Sequence, residues 1–524
     1  MIISEMGEEQ TRNSIDSCGG TDIVGKGRGI RIRICCGILF LVSLIPIMMT
    51  APYVRSTGDD LNYSKSVHQA LEGGGGILSL MSAVVSTVRN TWYSWQGTWS
   101  SVALFSLQPG IWGNEYYPVT VLVALACILG GTGYFLHVTG KRRGIGTTAR
   151  FVIFCLAGVL EIQYMPNVPC GLFWWTSVAH YCIPYGITLL CMGWSLRYLD
   201  TRKAGYLVAC CLGMGYLGGA GYPEVVLGAV WFFLVLLAQM GNGRSGKRND
   251  SSLRLLVPLL LEMAGFAVSA AAPGNRNRAG EGFGFSMQKV VGTLFACLKE
   301  GIIETIRFFI TVRPFLLVLL IVVLILRLEG RGWIWEGRQI GEKLAAAAAA
   351  LMILCLVRAP LLYAGTDASG GVPDSYWFIT VTMLVWLLEI LVTPAGSRSE
   401  DGSDQERFRA ASGKSMRRQC LCGIGVLCAA MLLSFRHLIG NTADYTCVQF
   451  IRSGALMDYH SQMEEWLEIL EDPEITSAEL PVMNDQQGPF MLMVPLDDPN
   501  AWSSQVYAAY YGKESVVCVP RNAE

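Results

Sequence analysis

Several ionisable side chains lie beside or within the most apolar stretches of this chain. Charge is costly at such places, so residues that keep it there are candidates for a function. The adjacent carboxylates Asp59 and Asp60 follow the first apolar stretch, and Glu224 begins a later one after Tyr222-Pro223. The full candidate set consists of carboxylates, one imidazole and two guanidinium groups: Asp59, Asp60, His180, Glu224, Arg276 and Arg278.

The two arginines indicate a possible phosphate-binding site. They lie in Pro273-Gly274-Asn275-Arg276-Asn277-Arg278, where the proline and glycine should end an apolar helix sharply. Both guanidinium groups would then lie at the level of a lipid-borne phosphate, to which a guanidinium can offer two parallel donors. The alternative is that they are solvated or contact anionic lipid headgroups.

Each of the other candidates also has a purely structural interpretation. Asp59 and Asp60 could cap a helix or face water. His180 could be a packing histidine, and the Glu224 carboxylate could stabilise the positive end of a helix dipole.

The composition predicts a membrane protein. Apolar residues make up 52% of the 524 residues, charged residues only 15%, and the mean hydropathy is +0.40. An ordinary soluble domain carries about 25% charge. A net charge of -1 with these proportions does not favour a nucleic-acid partner.

Long apolar runs bounded by charge predict about eleven transmembrane helices, because roughly 20 residues are needed for a helix to cross the hydrocarbon core. The fold class expected is therefore an all-α polytopic membrane protein. The predicted spans are 34–54, 117–140, 151–165, 174–196, 204–219, 223–240, 253–272, 302–326, 343–363, 375–393 and 419–440.

Basic residues predict the orientation. They precede the first span at Arg28, Arg31 and Arg33, and they recur in alternate connections, as in Lys141-Arg142-Arg143. By the positive-inside rule these segments are cytoplasmic, which places the N-terminus inside and the C-terminus outside. The candidate residues then all lie towards the external side, where the ends of several helices could surround one cavity.

Three regions are expected. Residues 1–29 are predicted to be a disordered cytoplasmic tail, and 30–440 a transmembrane domain whose external loop, 55–116, carries amphipathic interfacial helices. Residues 441–524 are predicted to be a small external α/β domain with helices near 457–470 and 503–511 and short apolar segments near 490–494 and 516–519. Cys447 and Cys518 lie in this last region, where an oxidising compartment would allow a disulfide.

The order of these features resembles the GT-C class of membrane glycosyltransferases. In that class an acidic residue or pair follows the first span, as Gly58-Asp59-Asp60-Leu61 does here, and interfacial helices precede the second span. Further motifs are similar to those of an uncharacterised family of bacterial polytopic proteins, a domain of unknown function related to polysaccharide-modifying glucosyltransferases. They are Thr57-Gly58-Asp59-Asp60, Trp95-Gln96-Gly97-Thr98-Trp99, Gly221-Tyr222-Pro223-Glu224, Ala272-Pro273-Gly274-Asn275-Arg276 and the segment 502–512.

The resemblance implies an inverting transfer of a sugar from a polyprenyl-phosphate donor, at the external face of the bacterial cytoplasmic membrane. The acceptor would be a cell-envelope glycan or lipid. Asp59 or Asp60 would act as the general base, and Arg276 and Arg278 would stabilise the phosphate.

His180 or Glu224 would orient sugar hydroxyls. Some members of the class use a divalent metal, which here would lie at Asp59 and Asp60, although two adjacent carboxylates do not by themselves define a metal site.

Two other functions fit the same residues. A transporter or flippase of a lipid-linked sugar would use the ionisable groups to bind and pass its substrate, although the sequence shows no internal repeat of paired broken helices. A non-catalytic scaffold for envelope assembly would use the C-terminal region as its binding module.

Overall fold

The computed structural model describes residues 27–242, 250–279, 284, 286–329, 338–392 and 403–521. The fold is 77% helical. Of the predicted tail, only residues 27–29 lie within these ranges, and they form the first turn of the first helix.

Five of the described helices are long and apolar enough to cross a membrane. This indicates a multi-pass membrane protein, and it agrees with five of the predicted spans. The five are Gly27–Tyr53, Asn114–Arg142, Tyr222–Met240, Ile340–Ala364 and Val372–Val392.

Three further predicted spans occur as shorter helices, Thr147–Gln163, Ala204–Leu217 and Leu256–Ala270. The last predicted span, 419–440, corresponds to the end of Ser403–Leu433 and the short helix Phe435–Ile439.

Two predicted spans are not single straight helices. The stretch 302–326 divides into Met287–Thr311 and Pro314–Leu328, whose axes differ by 92°. Pro314 has no N–H group to continue the helical ladder, which accounts for the break. The stretch 174–196 begins irregularly, with π-helical turns at Pro169–Phe173 and Val178–Cys182 on either side of Trp175–Ser177, and continues as Ile183–Thr201.

The bundle packs closely through small residues. A Cβ atom placed on Gly131 would lie 2.8 Å from the Cα atom of Gly186, so the helices that carry them touch through their backbones. A polar cluster lies next to this contact. The fully buried Glu161 carboxylate accepts hydrogen bonds from Thr132, Tyr185 and Thr382. Thr132 and Thr382 lie in the middle of their helices, so Glu161 is an interior group.

The loop 55–116 is helical, as predicted. It contains Asp59–Glu72, Ile77–Ser94, Trp99–Phe105 and the 3₁₀ turns Pro109–Trp112 and Asn114–Tyr116. The second helix leaves Ile77, Leu78, Met81 and Val85 more than half exposed. Such an apolar stripe is typical of a helix that lies in the surface of a bilayer.

The C-terminal segment, residues 441–521, contains both described strands. Its helices are Ala443–Arg452, Ala455–Glu471 and Trp502–Tyr511, and its strands Ser477–Pro481 and Ser515–Val519 pair in parallel with Leu480 opposite Cys518. The expected helices and the segment 516–519 are found, whereas 490–494 forms no strand. Cys447 and Cys518 are buried free thiols. The buried side chains of the segment join the same hydrophobic core as the bundle, so the segment packs directly against it.

The orientation of the chain leads to a first prediction. If the N-terminus is cytoplasmic, Lys141 and Asn500 lie on opposite sides of the membrane. Both side chains are exposed. A membrane-impermeant maleimide added to intact cells should therefore modify Asn500→Cys, and Lys141→Cys only after permeabilisation. The parent chain is the control for the native cysteines, and equal labelling of both variants from outside would contradict the topology.

Candidate functional site

The site begins at a tight turn that follows the first helix. Gly58 has a φ of 45°, a conformation that favours glycine, and the Asp60 N–H donates to the Thr57 carbonyl at 2.9 Å. The helix Asp59–Glu72 starts immediately afterwards. The turn therefore directs the two neighbouring carboxylates to different surroundings.

Asp60 is fully buried and its carboxylate is held on both oxygens. Oδ1 accepts the Thr176 N–H at 2.9 Å and the Thr176 hydroxyl at 2.7 Å, and Oδ2 accepts the Tyr117 hydroxyl at 2.5 Å. Burial raises the pKa of Asp60 to about 6, and the three hydrogen bonds oppose that rise. Asp60 thus connects the turn to the start of the helix at 114–142 and to the irregular segment 169–182.

Asp59 is partly exposed, and its carboxylate has no hydrogen-bond partner among the described residues. Burial raises its pKa, and the nearby positive charge of Arg278 lowers it. Of the two carboxylates, Asp59 is therefore the one that can meet a ligand.

Arg278 is positioned by the loop that contains Trp95-Gln96-Gly97. Its Nη1 atom donates to Gln96 Oε1, and its guanidinium lies 5.7 Å from the centre of the Trp95 ring. A Cβ atom on Gly274 would lie 2.3 Å from the Trp95 nitrogen, so only glycine allows this approach.

Asn275 fastens the same two segments together. Its Oδ1 atom accepts the Gly97 N–H at 3.0 Å, and its Nδ2 atom donates to the Ser269 carbonyl at 2.8 Å. Asn277 adds one exposed bond, from Nδ2 to the Ser94 carbonyl at 3.0 Å.

His180 lies beside this group. Its ring contacts Phe105 and Tyr181 at 5.6 and 4.6 Å between centres, and Arg278 is within electrostatic range. The buried Nδ1 atom of His180 has no hydrogen-bond partner among the described residues.

Glu224 is buried next to His180. A Cβ atom on Gly221 would lie 2.3 Å from the His180 carbonyl and 2.6 Å from Glu224 Oε2. Glu224 Oε1 accepts the Ser375 hydroxyl at 2.5 Å, whereas Oε2 is unpartnered within the described part of the chain. Tyr181 is within electrostatic range of both Glu224 and Arg278.

The structure thus brings Asp59, His180, Glu224 and Arg278 to one region. Arg276 is exposed, and no hydrogen bond or ion pair of its side chain to the described residues is found. Nothing therefore connects Arg276 to the group formed by the other four.

A divalent metal at the acidic pair does not fit this arrangement. Three donors already occupy the two Asp60 oxygens. Within the described ranges no group of three or more His, Cys, Asp or Glu side chains could hold a metal ion. The pair therefore offers a cation little more than the single carboxylate of Asp59.

Several residues of this site were not singled out from the sequence, namely Gln96, Tyr117, Thr176, Tyr181 and Ser375. Their types are common inside a helical bundle, and their positions depend on contacts between distant segments. Only Gln96 carried a signal, because it lies within Trp95-Gln96-Gly97-Thr98-Trp99, one of the motifs on which the suggested resemblance rests.

The C-terminal segment covers the turn. The Met493 N–H donates to Thr57 Oγ1 at 2.8 Å, and a Cβ atom on Gly58 would lie 2.3 Å from the Met493 sulfur. The His68 and Tyr510 rings stack at 4.2 Å, and Arg55 pairs with Glu464 at 3.2 Å. The segment is thus a wall of the candidate site.

Comparison with known proteins gives no match: no family model fits this chain, and neither the characterised proteins nor the solved structures include one that is significantly similar to it.

The contacts of Asn275 lead to a second prediction. Asn275→Ala leaves the Gly97 N–H and the Ser269 carbonyl without their partner, and each unsatisfied buried group costs about 1–3 kcal/mol. We expect a clear fall in the melting temperature of the detergent-purified protein. Asn277→Ala is the matched control, because it removes one exposed bond and should change the melting temperature little. Equal melting temperatures for the two variants would show that Asn275 does not hold the segments together.

Proposed function

We propose that this protein is an inverting membrane glycosyltransferase that transfers a sugar from a polyprenyl-phosphate donor to a cell-envelope glycan or lipid. The reaction would take place at the external face of a bacterial cytoplasmic membrane. The observation that carries the proposal is the Asp59 carboxylate, which is partly exposed, free of hydrogen bonds to the described residues, and close to Arg278. A base for the acceptor and a cation for the leaving phosphate are thus adjacent.

The reaction needs both groups. The acceptor hydroxyl oxygen forms a bond to the anomeric carbon while its proton passes to Asp59, because an alcohol is a weak nucleophile until deprotonation accompanies attack. The bond from the anomeric carbon to the phosphate oxygen breaks, and its electron pair leaves with the polyprenyl phosphate. The Arg278 guanidinium stabilises the charge that develops on that phosphate.

His180 and Glu224 have the properties needed to orient a sugar. The His180 Nδ1 and Glu224 Oε2 atoms are buried and lack hydrogen-bond partners among the described residues. Buried polar atoms are rarely left unsatisfied, so each such atom needs an explanation such as a bound polar ligand. A hydroxyl-rich sugar would supply the missing partners for both.

The third prediction tests the base. Asp59→Asn keeps the shape of the side chain but cannot accept the proton, and loss of a general base typically costs about 10²–10⁴ in rate. The assay is release of polyprenyl phosphate from a panel of polyprenyl-phosphate sugars by purified protein in lipid nanodiscs. Asp485→Asn, at an exposed position in the C-terminal segment, is the control and should release polyprenyl phosphate at the wild-type rate.

Wild-type turnover by Asp59→Asn would remove this carboxylate from the mechanism. Movement of the sugar-lipid across a liposome membrane without release of the sugar would replace the proposal with a transporter.

The fourth prediction concerns pH. Asp59 works as a base only when ionised, so kcat/KM should rise as the pH increases through its pKa. Arg278 lowers that pKa. In Arg278→Gln the pKa should therefore increase, and the acidic limb of the profile should move to higher pH. Arg276→Gln is the control and should leave the limb in place, whereas an unchanged limb in Arg278→Gln would show that the two groups are not coupled.

A further inference from the structure

Arg358 is a buried guanidinium that the sequence did not single out. It is 3% exposed and lies six residues before the end of the apolar helix Ile340–Ala364. Its Nη1 atom donates to the Leu354 carbonyl, and its Cζ atom lies 4.5 Å from the centre of the Tyr376 ring. These contacts fix the plane of the guanidinium inside the bundle.

One edge of this guanidinium makes no hydrogen bond to the described residues. Nε and Nη2 are both buried, and neither has a hydrogen-bond partner among the described residues. No carboxylate of the described residues lies within ion-pairing distance of Arg358. Nε–H and Nη2–H are neighbouring, parallel donors, which is the arrangement that binds two oxygens of a phosphate or carboxylate. Glu304 lies within electrostatic range of Arg358 but makes no ion pair with it. A buried cation without a close anion is costly, so this edge is suited to an anionic ligand.

This edge lies near the candidate site. Tyr376, which covers the guanidinium, follows Ser375, whose hydroxyl donates to Glu224 Oε1 at 2.5 Å. Tyr376 and Glu224 each lie within the first turns of their helices. Arg358 is therefore at the same end of the bundle as the site.

The surface next to Arg358 suits an apolar chain. The helix Met287–Thr311 packs against the helix that precedes Arg358, so closely that a Cβ atom on Gly301 would lie 2.7 Å from the Cα atom of Cys355. On the same helix Ile302 and Ile306 are 40% and 52% exposed. A ligand with an anionic head and a long hydrocarbon tail would match both the guanidinium and the exposed isoleucines. A free anion would contact only the guanidinium.

We propose that the Nε and Nη2 atoms of Arg358 bind the phosphate of a lipid whose hydrocarbon chain lies along the helix Met287–Thr311. This assignment rests on the proposed function, because the lipid is taken to be the polyprenyl phosphate of the donor or product. A phosphate held here extends the site towards the membrane and keeps the attached sugar near Glu224.

The test measures binding and needs no turnover. Purified protein in detergent is titrated with a short-chain polyprenyl monophosphate, and the complex is quantified by native mass spectrometry. Arg358→Lys, which offers only a point charge, should raise the Kd about tenfold, and Arg358→Met about a hundredfold or more. Arg452→Lys and Arg452→Met are the matched controls, because Arg452 is an exposed arginine at the end of the helix Ala443–Arg452, and they should bind as the wild type does.

Two competitors identify the source of the phosphate. Phosphatidylglycerol and inorganic phosphate should each displace the probe only at much higher concentration. Displacement by phosphatidylglycerol at equal concentration would overturn the assignment to the polyprenyl lipid, and displacement by inorganic phosphate at equal concentration would overturn the assignment to any lipid. A wild-type Kd in both Arg358 variants would overturn the proposal altogether.

A second measurement separates binding from folding. Without the probe, Arg358→Met removes an unpaired buried charge, so its melting temperature should equal or exceed that of the wild type. A large decrease would show that Arg358 is a structural residue and would contradict the proposal. If the Arg358 variants lose the probe while the wild type transfers no sugar, the lipid site stands and the proposed function fails. If Asp59→Asn abolishes transfer while the Arg358 variants retain the probe, the proposed function stands and the lipid site at Arg358 fails.

Discussion

The architecture of the candidate site depends on the three hydrogen bonds that the buried Asp60 carboxylate accepts. They connect the turn after the first helix to Tyr117, at the start of the next long apolar helix, and to Thr176, in the irregular segment 169–182. A carboxylate is costly to bury, and charge-assisted hydrogen bonds offset that cost only when their donors are well placed. This requirement holds three distant segments in one arrangement, and it directs the neighbouring Asp59 away from the interior and towards Arg278.

The same turn is held from outside by the C-terminal segment. Thr57 bonds to Met493, and Gly58 leaves room for the Met493 side chain that a larger residue would fill. The buried aromatic side chains of the segment continue the core of the bundle, as in the contact of Phe173 with Phe490 at 5.3 Å. The candidate site therefore needs both parts of the chain.

Much of the architecture could be predicted from the sequence because long apolar runs can only be helical in a membrane. Such runs do not show where a helix breaks, which is why 302–326 and 174–196 were expected to be continuous. Asp59 and Asp60 could not be distinguished either, because their difference lies in Tyr117 and Thr176, which are 57 and 116 residues from Asp60 in the chain. Arg358 was missed for a related reason: it lies within an apolar run, and only the fold shows that it forms no ion pair with a carboxylate of the described residues.

The most direct test of whether the sugar lies in the candidate site is photo-crosslinking with a polyprenyl-phosphate sugar that carries a diazirine on the sugar ring, followed by peptide mapping. We expect crosslinks to the neighbourhoods of Asp59, Gln96, His180 and Glu224, and their loss when an unmodified donor competes. Crosslinks confined to the opposite end of the bundle, around Lys141 and Arg197, would contradict this placement of the sugar.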